Sequence, residues 1–189
     1  MSTERALPRP LTDAARPGAA AALAGAATVH ATVIGEHYAE WALAGAFFLA
    51  LLVTETFLGL WLWRWPSRHA ARAVAVTGVL TVAVWAVSRT SGLPFGPADF
   101  RVPEAVGAPD VACVVLEQLA AILALLATDR HTRPRATRER PAAVGHATRL
   151  GVLGVVLAVT ALGLGPTLAG HPHEHQHHGD PAPSAHYGD

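Results

Sequence analysis

Three ionisable side chains, those of His30, Glu55 and Glu117, stand within stretches of the sequence that are otherwise almost entirely apolar. An ionised side chain such as Asp costs roughly 2.5–3.5 kcal/mol at the centre of a membrane helix, so it is expected to be protonated, paired or turned toward a wet cavity. Imidazole nitrogens and carboxylate oxygens are also ligands of borderline divalent ions. The placement favours a functional site, and a hydrogen bond that joins two helices is the alternative.

A second set of possible ligands stands at the ends of the same apolar stretches, in GEHYAEW and in the segment before Glu117. Glu36 and Glu40 are four residues apart and would share a face on a helical turn. We predict an outer vestibule that binds or passes a metal ion; its ligands are His30, Glu36, His37, Glu40, Asp110 and Glu117. Structural or gating roles are assigned to Arg89, expected at the rim of this layer, and to Glu55, expected beyond the midplane.

The sequence HPHEHQHH places five histidines within residues 171–178. Neutral imidazoles bind Zn²⁺, Cu²⁺ or Ni²⁺, and such a divalent ion is the predicted cofactor. The predicted ligands in this tail are His171, His173, Glu174, His175, His177 and His178. We interpret the tail as an accessory that gathers metal ions for the vestibule.

The sequence gives less support to an enzyme, a haem protein or a disulfide-linked protein. The chain lacks a nucleotide-binding P-loop, a Gly-x-Ser-x-Gly motif and a Cys-x-x-Cys motif, which weakens an enzymatic interpretation. A membrane cytochrome would need paired axial ligands, and His30 is the one histidine within the apolar stretches. The lone Cys113 cannot form an internal disulfide.

Five apolar segments must position these residues: 18–35, 41–63, 73–88, 111–127 and 150–170. The chain is 51% hydrophobic and 15% charged, whereas a soluble domain carries about 25% charged residues. Open strand edges cannot face lipid, and a helix of about 20 residues crosses the bilayer. We therefore predict an all-α transmembrane helical bundle of five spans over residues 18–170, with the lipid bilayer as its partner and no nucleic acid.

Arginine sets the predicted orientation. Twelve of the fourteen arginines fall in the N-terminal segment, in 64–72 and in 128–149, which five spans place on one side. By the positive-inside rule that side is cytoplasmic. We predict a plasma-membrane protein with a cytoplasmic tail over 1–17 and an external, disordered His-rich tail over 171–189. Residues 1–31 also resemble a signal peptide, and cleavage would leave four spans with every later segment on the same side.

The motifs HATVIGEHYAEW and WAVSRTSGLPFGP, followed by PEAVGAPDV, resemble those of small uncharacterised multi-pass membrane proteins from high-GC Gram-positive bacteria. The resemblance covers roughly residues 25–127 and excludes the last apolar segment and the tail. It is carried by His30, Glu36, His37, Glu40, Trp41, Trp85, Ser88, Arg89, Thr90, Gly92, Pro94, Gly96, Pro97, Glu104, Gly107, Asp110 and Glu117. It implies a multi-pass membrane protein and indicates no reaction type.

Two functions of different classes follow from these observations. The first is a membrane protein that handles a transition-metal ion in the outer vestibule. The second is a non-catalytic membrane module whose buried polar residues lock helices together and whose loops contact a partner protein. Small residues on the helices would also permit close contacts with other helices, including those of a homo-oligomer.

Overall fold

A computed structural model of the chain describes residues 9–128 and 142–168. Within these residues the chain forms five α-helices: α1 (Arg9–Glu40), α2 (Ala42–Arg64), α3 (Arg68–Thr90), α4 (Ala108–Thr128) and α5 (Ala142–Leu168). Each helix contains a stretch that is long and apolar enough to cross a membrane. The prediction of an all-α bundle of five spans is confirmed, and the chain is a multi-pass membrane protein. The predicted histidine-rich tail lies outside the described residues.

The Ala-rich helix α1 lies at the centre of the bundle, where it packs against α2, α4 and α5, while α3 packs mainly against α4. Its buried face repeats at helical spacing through Ala15, Ala19, Ala22 and Ala26. Small side chains let neighbouring helix backbones approach closely, and van der Waals contact then holds helices together in lipid. The weak hydrophobicity of this segment is thus explained by burial among helices.

The helices α1 and α2 form a hairpin with a single residue between them. Trp41 adopts an extended conformation, with φ −156° and ψ 112°, and its backbone N–H donates to the carbonyl of His37 over 2.8 Å. Helix α1 is therefore longer than the predicted segment 18–35. Glu36, His37 and Glu40 belong to its last turns and not to a connection between spans.

The connection from α3 to α4, residues 91–107, folds back over the end of the bundle. The backbone N–H of Leu93 donates to the carbonyl of Phe100 over 2.7 Å. Gly92 has φ +73°, and a Cβ at this position would collide with the backbone of Arg101. Trp41 lies edge-on against Phe100, with ring centroids 5.3 Å apart. These contacts attach the connection to the α1–α2 hairpin.

Close packing of α5 gives a first testable prediction. A Cβ at Gly163 would lie 2.7 Å from the Cβ of Ala112 on α4 and 3.0 Å from a methyl group of Val29 on α1. Gly163→Val should therefore destabilise the bundle by about 1–3 kcal/mol, the usual cost of overpacking. Equilibrium unfolding in detergent measures this loss of stability. Gly154→Val is the matched control, because a Cβ at Gly154 meets nothing within 4 Å, and equal losses in the two variants would contradict the prediction.

Candidate metal centre

Three buried side chains from three helices meet inside the bundle. They are His30 of α1, Glu55 of α2 and Glu117 of α4, with 3%, 0% and 2% of their surface exposed. The Nδ1 atom of His30 lies 3.0 Å from Oε2 of Glu55. Its other ring nitrogen, Nε2, lies 3.9 Å from Oε1 of Glu117. We call these three residues the buried triad.

The triad offers more acceptors than the protein satisfies. Among the described residues, no hydrogen-bond partner reaches Oε1 of Glu55 or either carboxylate oxygen of Glu117. A buried polar atom without a partner costs free energy, and a carboxylate costs more than a neutral group. A bound cation would remove this cost, as would a proton shared between the two carboxyl groups.

The spacing of the donor atoms suits such an ion. His30, Glu55 and Glu117 each offer one ligand atom, and these atoms all lie within 4.8 Å of one another. Bonds from Zn²⁺ to nitrogen or oxygen are about 2.0–2.2 Å long. One ion can therefore bridge the 3.9 Å between Nε2 of His30 and Oε1 of Glu117. Among the described residues, the triad is the group of possible ligands (His, Cys, Asp or Glu) that lie close enough together to hold a metal ion.

Contacts from the surrounding helices fix the triad in place. The ring of Phe48 on α2 packs against His30, with centroids 5.7 Å apart. Gln118, next to Glu117, donates from Nε2 to the carbonyl of Gly78 on α3 over 3.3 Å. A Cβ at Gly78 would lie 3.5 Å from the carbonyl oxygen of Glu117, so α3 and α4 approach closely at this level. Helix α4 is thus closely packed against α3 at the level of Glu117, and Phe48 of α2 packs against the ring of His30.

A cavity of about 600 Å³ leads toward the triad. Its wall is built from α1, α2, α3, α4 and the 91–107 connection, and α2 and α3 make little contact with each other. His30 and Glu117 belong to the wall, as do His37 and Asp110, but Glu55 does not. An ion in this cavity would therefore meet His30 and Glu117 first, with Glu55 behind the imidazole.

A separate ion-pair cluster lies nearer the helix ends. Arg89 of α3 donates from Nη1 to Glu104 and from Nη2 to Oδ1 of Asp110 over 2.6 Å. The other oxygen of Asp110 accepts from the backbone N–H of Gly107 over 2.7 Å. Asp110 precedes Glu117 by seven residues, roughly 10 Å along α4. Arg89, expected at the rim of the deeper layer, thus pairs with Glu104 and Asp110 and not with Glu117.

The structure divides the residues proposed for the outer vestibule into two groups. It brings His30 and Glu117 together, and it places His37 and Asp110 on the wall of the same cavity. Glu36 and Glu40 are exposed at the end of α1 and do not border the cavity. Helix α1 continues beyond the predicted segment to Glu40, which moves His30 deeper into the bundle and brings it into contact with Glu55. His30 is therefore ten residues from the helix end, roughly 15 Å, instead of the expected 7–8 Å.

Comparison with protein-family models, with curated proteins and with solved structures finds no match to this chain. The resemblance based on the sequence motifs therefore stays a prediction. Of the residues that carry it, Arg89, Glu104 and Asp110 form the ion-pair cluster. Trp41 packs against the connection that supplies Glu104. The histidines of the tail lie outside the described residues, so the buried triad and its cavity are the basis for a functional proposal.

Proposed function

We propose that this multi-pass membrane protein binds a divalent transition-metal ion at the buried triad, which the ion reaches from the outer vestibule. The observation that carries the proposal is the set of carboxylate oxygens on Glu55 and Glu117 that are buried beside an imidazole and have no hydrogen-bond partner among residues 9–128 and 142–168. A dication balances two carboxylate charges, and a buried charge is tolerated when it is paired or coordinates a metal. Neither a neutral ligand nor an anion would give this balance.

Each triad residue has a distinct role in this proposal. Nε2 of His30 and the carboxylate of Glu117 bind the ion from the cavity wall. Glu55 accepts a hydrogen bond from Nδ1 of His30 and so fixes the orientation of the ring, as carboxylates behind metal-bound histidines commonly do. The 3.0 Å contact between these atoms and the absence of Glu55 from the cavity wall support this division. Water from the cavity fills the remaining coordination positions.

The donor types narrow the choice of ion. One imidazole and one or two carboxylates suit Zn²⁺, and Cu²⁺ and Ni²⁺ also bind such donors.

We propose that the histidine-rich segment 171–178 gathers the ion and that the vestibule then receives it. Removing residues 171–189 should leave the helix content intact and should remove only the loosely bound metal. Metal analysis of protein purified without a nickel column measures this, and loss of the tightly bound ion on truncation would contradict the assignment to the triad.

The proposed direction of approach depends on the orientation in the plasma membrane. The arginine distribution supports a cytoplasmic location for the ends of the helices nearest Arg64 and Arg68, and therefore an external location for Asp110. Reporter fusions after residues 68 and 138 should accordingly be active in the cytoplasm, and a fusion at residue 180 should be active outside. Cytoplasmic activity at residue 180 would reverse the proposed direction.

A second candidate function is a non-catalytic membrane module, in which the buried polar groups hold the helices together and the loops contact a partner protein. The ion pairs from Arg89 to Glu104 and Asp110 support it, because they join α3, α4 and their connection without any metal. The hydrogen bond from Gln118 to Gly78 adds a further link between α3 and α4. In this alternative, substitutions in the triad change stability to the same extent with and without a chelator.

A further inference from the structure

We infer that the cavity is the access route of the metal ion, and that Cys113 and His37 serve as intermediate ligands along it. This inference rests on the proposed metal centre and adds the path by which the ion arrives. The two residues lie on the cavity wall, on different helices, between the outer ion pairs and the buried triad. Neither is needed to form the triad itself.

One face of α4 carries three side chains of types that can bind a metal ion, and the outermost, Asp110, is also held by Arg89 and by the backbone of Gly107. Asp110, Cys113 and Glu117 are spaced by three and four residues, which places them on one face of a helix, and all three belong to the cavity wall. From the beginning of α4 at Ala108 they lie at depths of roughly 3, 7–8 and 13–14 Å. Carboxylate, thiol and carboxylate thus follow one another from the helix end to the triad.

A matching series runs along α1. His37 and His30 are seven residues apart, two helical turns, and both border the cavity. Phe48 packs against both rings, with centroid distances of 4.4 Å to His37 and 5.7 Å to His30. Since α1 ends at Glu40, the imidazoles lie at depths of roughly 4–5 and 15 Å. The series on α1 and α4 therefore end at the same place, between His30 and Glu117.

The chemistry of the wall explains why such ligands are needed and which ions they select. Most of the remaining wall is apolar, with Leu51, Phe47 and Val84 among its residues, so it offers little to replace the water of a hydrated ion. Imidazole and thiol donors favour Zn²⁺ and other transition metals over Mg²⁺ and Ca²⁺, which prefer oxygen. Glu117, 2% exposed and with both oxygens unpartnered among the described residues, is the end point of the route.

The route is tested by the kinetics of Zn²⁺ transfer from a fluorescent chelator to the full-length protein in nanodiscs. Cys113→Phe fills the route but leaves the triad unchanged, so association and dissociation should both slow by roughly tenfold or more, because passage then requires a local opening. The equilibrium affinity for Zn²⁺ should change far less than either rate, since an obstruction of the route slows association and dissociation together and no triad residue is replaced. Val115→Phe is the matched control, because Val115 lies on the same helix, is 42% exposed and does not border the cavity.

Alkylthiolation of the native Cys113, which is buried but borders the cavity, gives the same obstruction without changing biosynthesis; protein that mass spectrometry shows to be fully modified is used, so the test does not depend on the folding of Cys113→Phe. Unchanged Zn²⁺ kinetics after either modification, with binding at the triad intact, would overturn the route and leave the proposed metal centre standing. Failure of the metal centre has a different signature: the wild type and Glu117→Gln would then bind Zn²⁺ equally. Slowed exchange in Cys113→Phe but not in Val115→Phe supports the route.

Discussion

Replacing Glu117 by Gln is expected to weaken Zn²⁺ binding by on the order of 100-fold, because even residues that only orient a metal ligand contribute about 10–100-fold to affinity. The amide keeps the size of the side chain but loses the charge that balances the ion. Without metal, the variant should be at least as stable as the wild type, since a neutral amide is cheaper to bury than a carboxylate. Isothermal titration with Zn²⁺ and thermal melts in a chelator measure the two effects.

Glu36→Gln is the matched control for this substitution. Glu36 also lies on a helix of the bundle, but it is exposed and does not border the cavity. Its replacement should change neither Zn²⁺ affinity nor stability. If Glu117→Gln lowers the melting temperature equally with and without a chelator, and leaves Zn²⁺ binding unchanged, the triad locks helices and the metal proposal is wrong.

The sequence predicts the helices and singles out all three members of the triad for the same physical reason. An apolar run of about 20 residues can satisfy its backbone inside lipid only as a helix. An ionisable residue within such a run is costly, so the sequence alone is enough to single out His30, Glu55 and Glu117, although it places Glu55 at a greater depth than the other two. These arguments require only the local sequence. They therefore identify the important residues, but they do not predict the contacts between those residues.

The pairing within the site depends on tertiary geometry that the local sequence does not contain. The depth of His30 depends on where α1 ends, and the helix continues past Gly35 to Glu40 before Trp41 reverses the chain. This continuation brings His30 to Glu55, which the sequence places in a deeper layer. The partners of Arg89 depend likewise on how the 91–107 connection folds back, since that fold places Glu104 beside the helix.

Substitution in the ion-pair cluster at the helix ends should lower stability and barely change Zn²⁺ affinity, the opposite of what is expected for the triad. Arg89→Met leaves the carboxylates of Glu104 and Asp110 close together without the cation between them. The three side chains are 12%, 30% and 24% exposed, so the expected loss of stability is about 2 kcal/mol, between the values for exposed and for fully buried pairs. Zn²⁺ affinity should change much less than in Glu117→Gln, because Asp110 lies roughly 10 Å from Glu117 along α4. Melts with and without a chelator should show the same loss.

Neutralising the partners distinguishes an ion-pair effect from a loss of packing. The triple variant Arg89→Met, Glu104→Gln and Asp110→Asn removes the cation together with both carboxylates, so no unpaired charge remains, and most of the lost stability should return. Arg101→Met is the control, because Arg101 is an exposed arginine of the same connection and its loss should have little effect. If the triple variant is no more stable than Arg89→Met, the arginine acts through its packing and not through its charge. Rescue, combined with unaltered Zn²⁺ affinity, would show that the bundle separates a structural layer near the helix ends from the metal-binding layer beneath it.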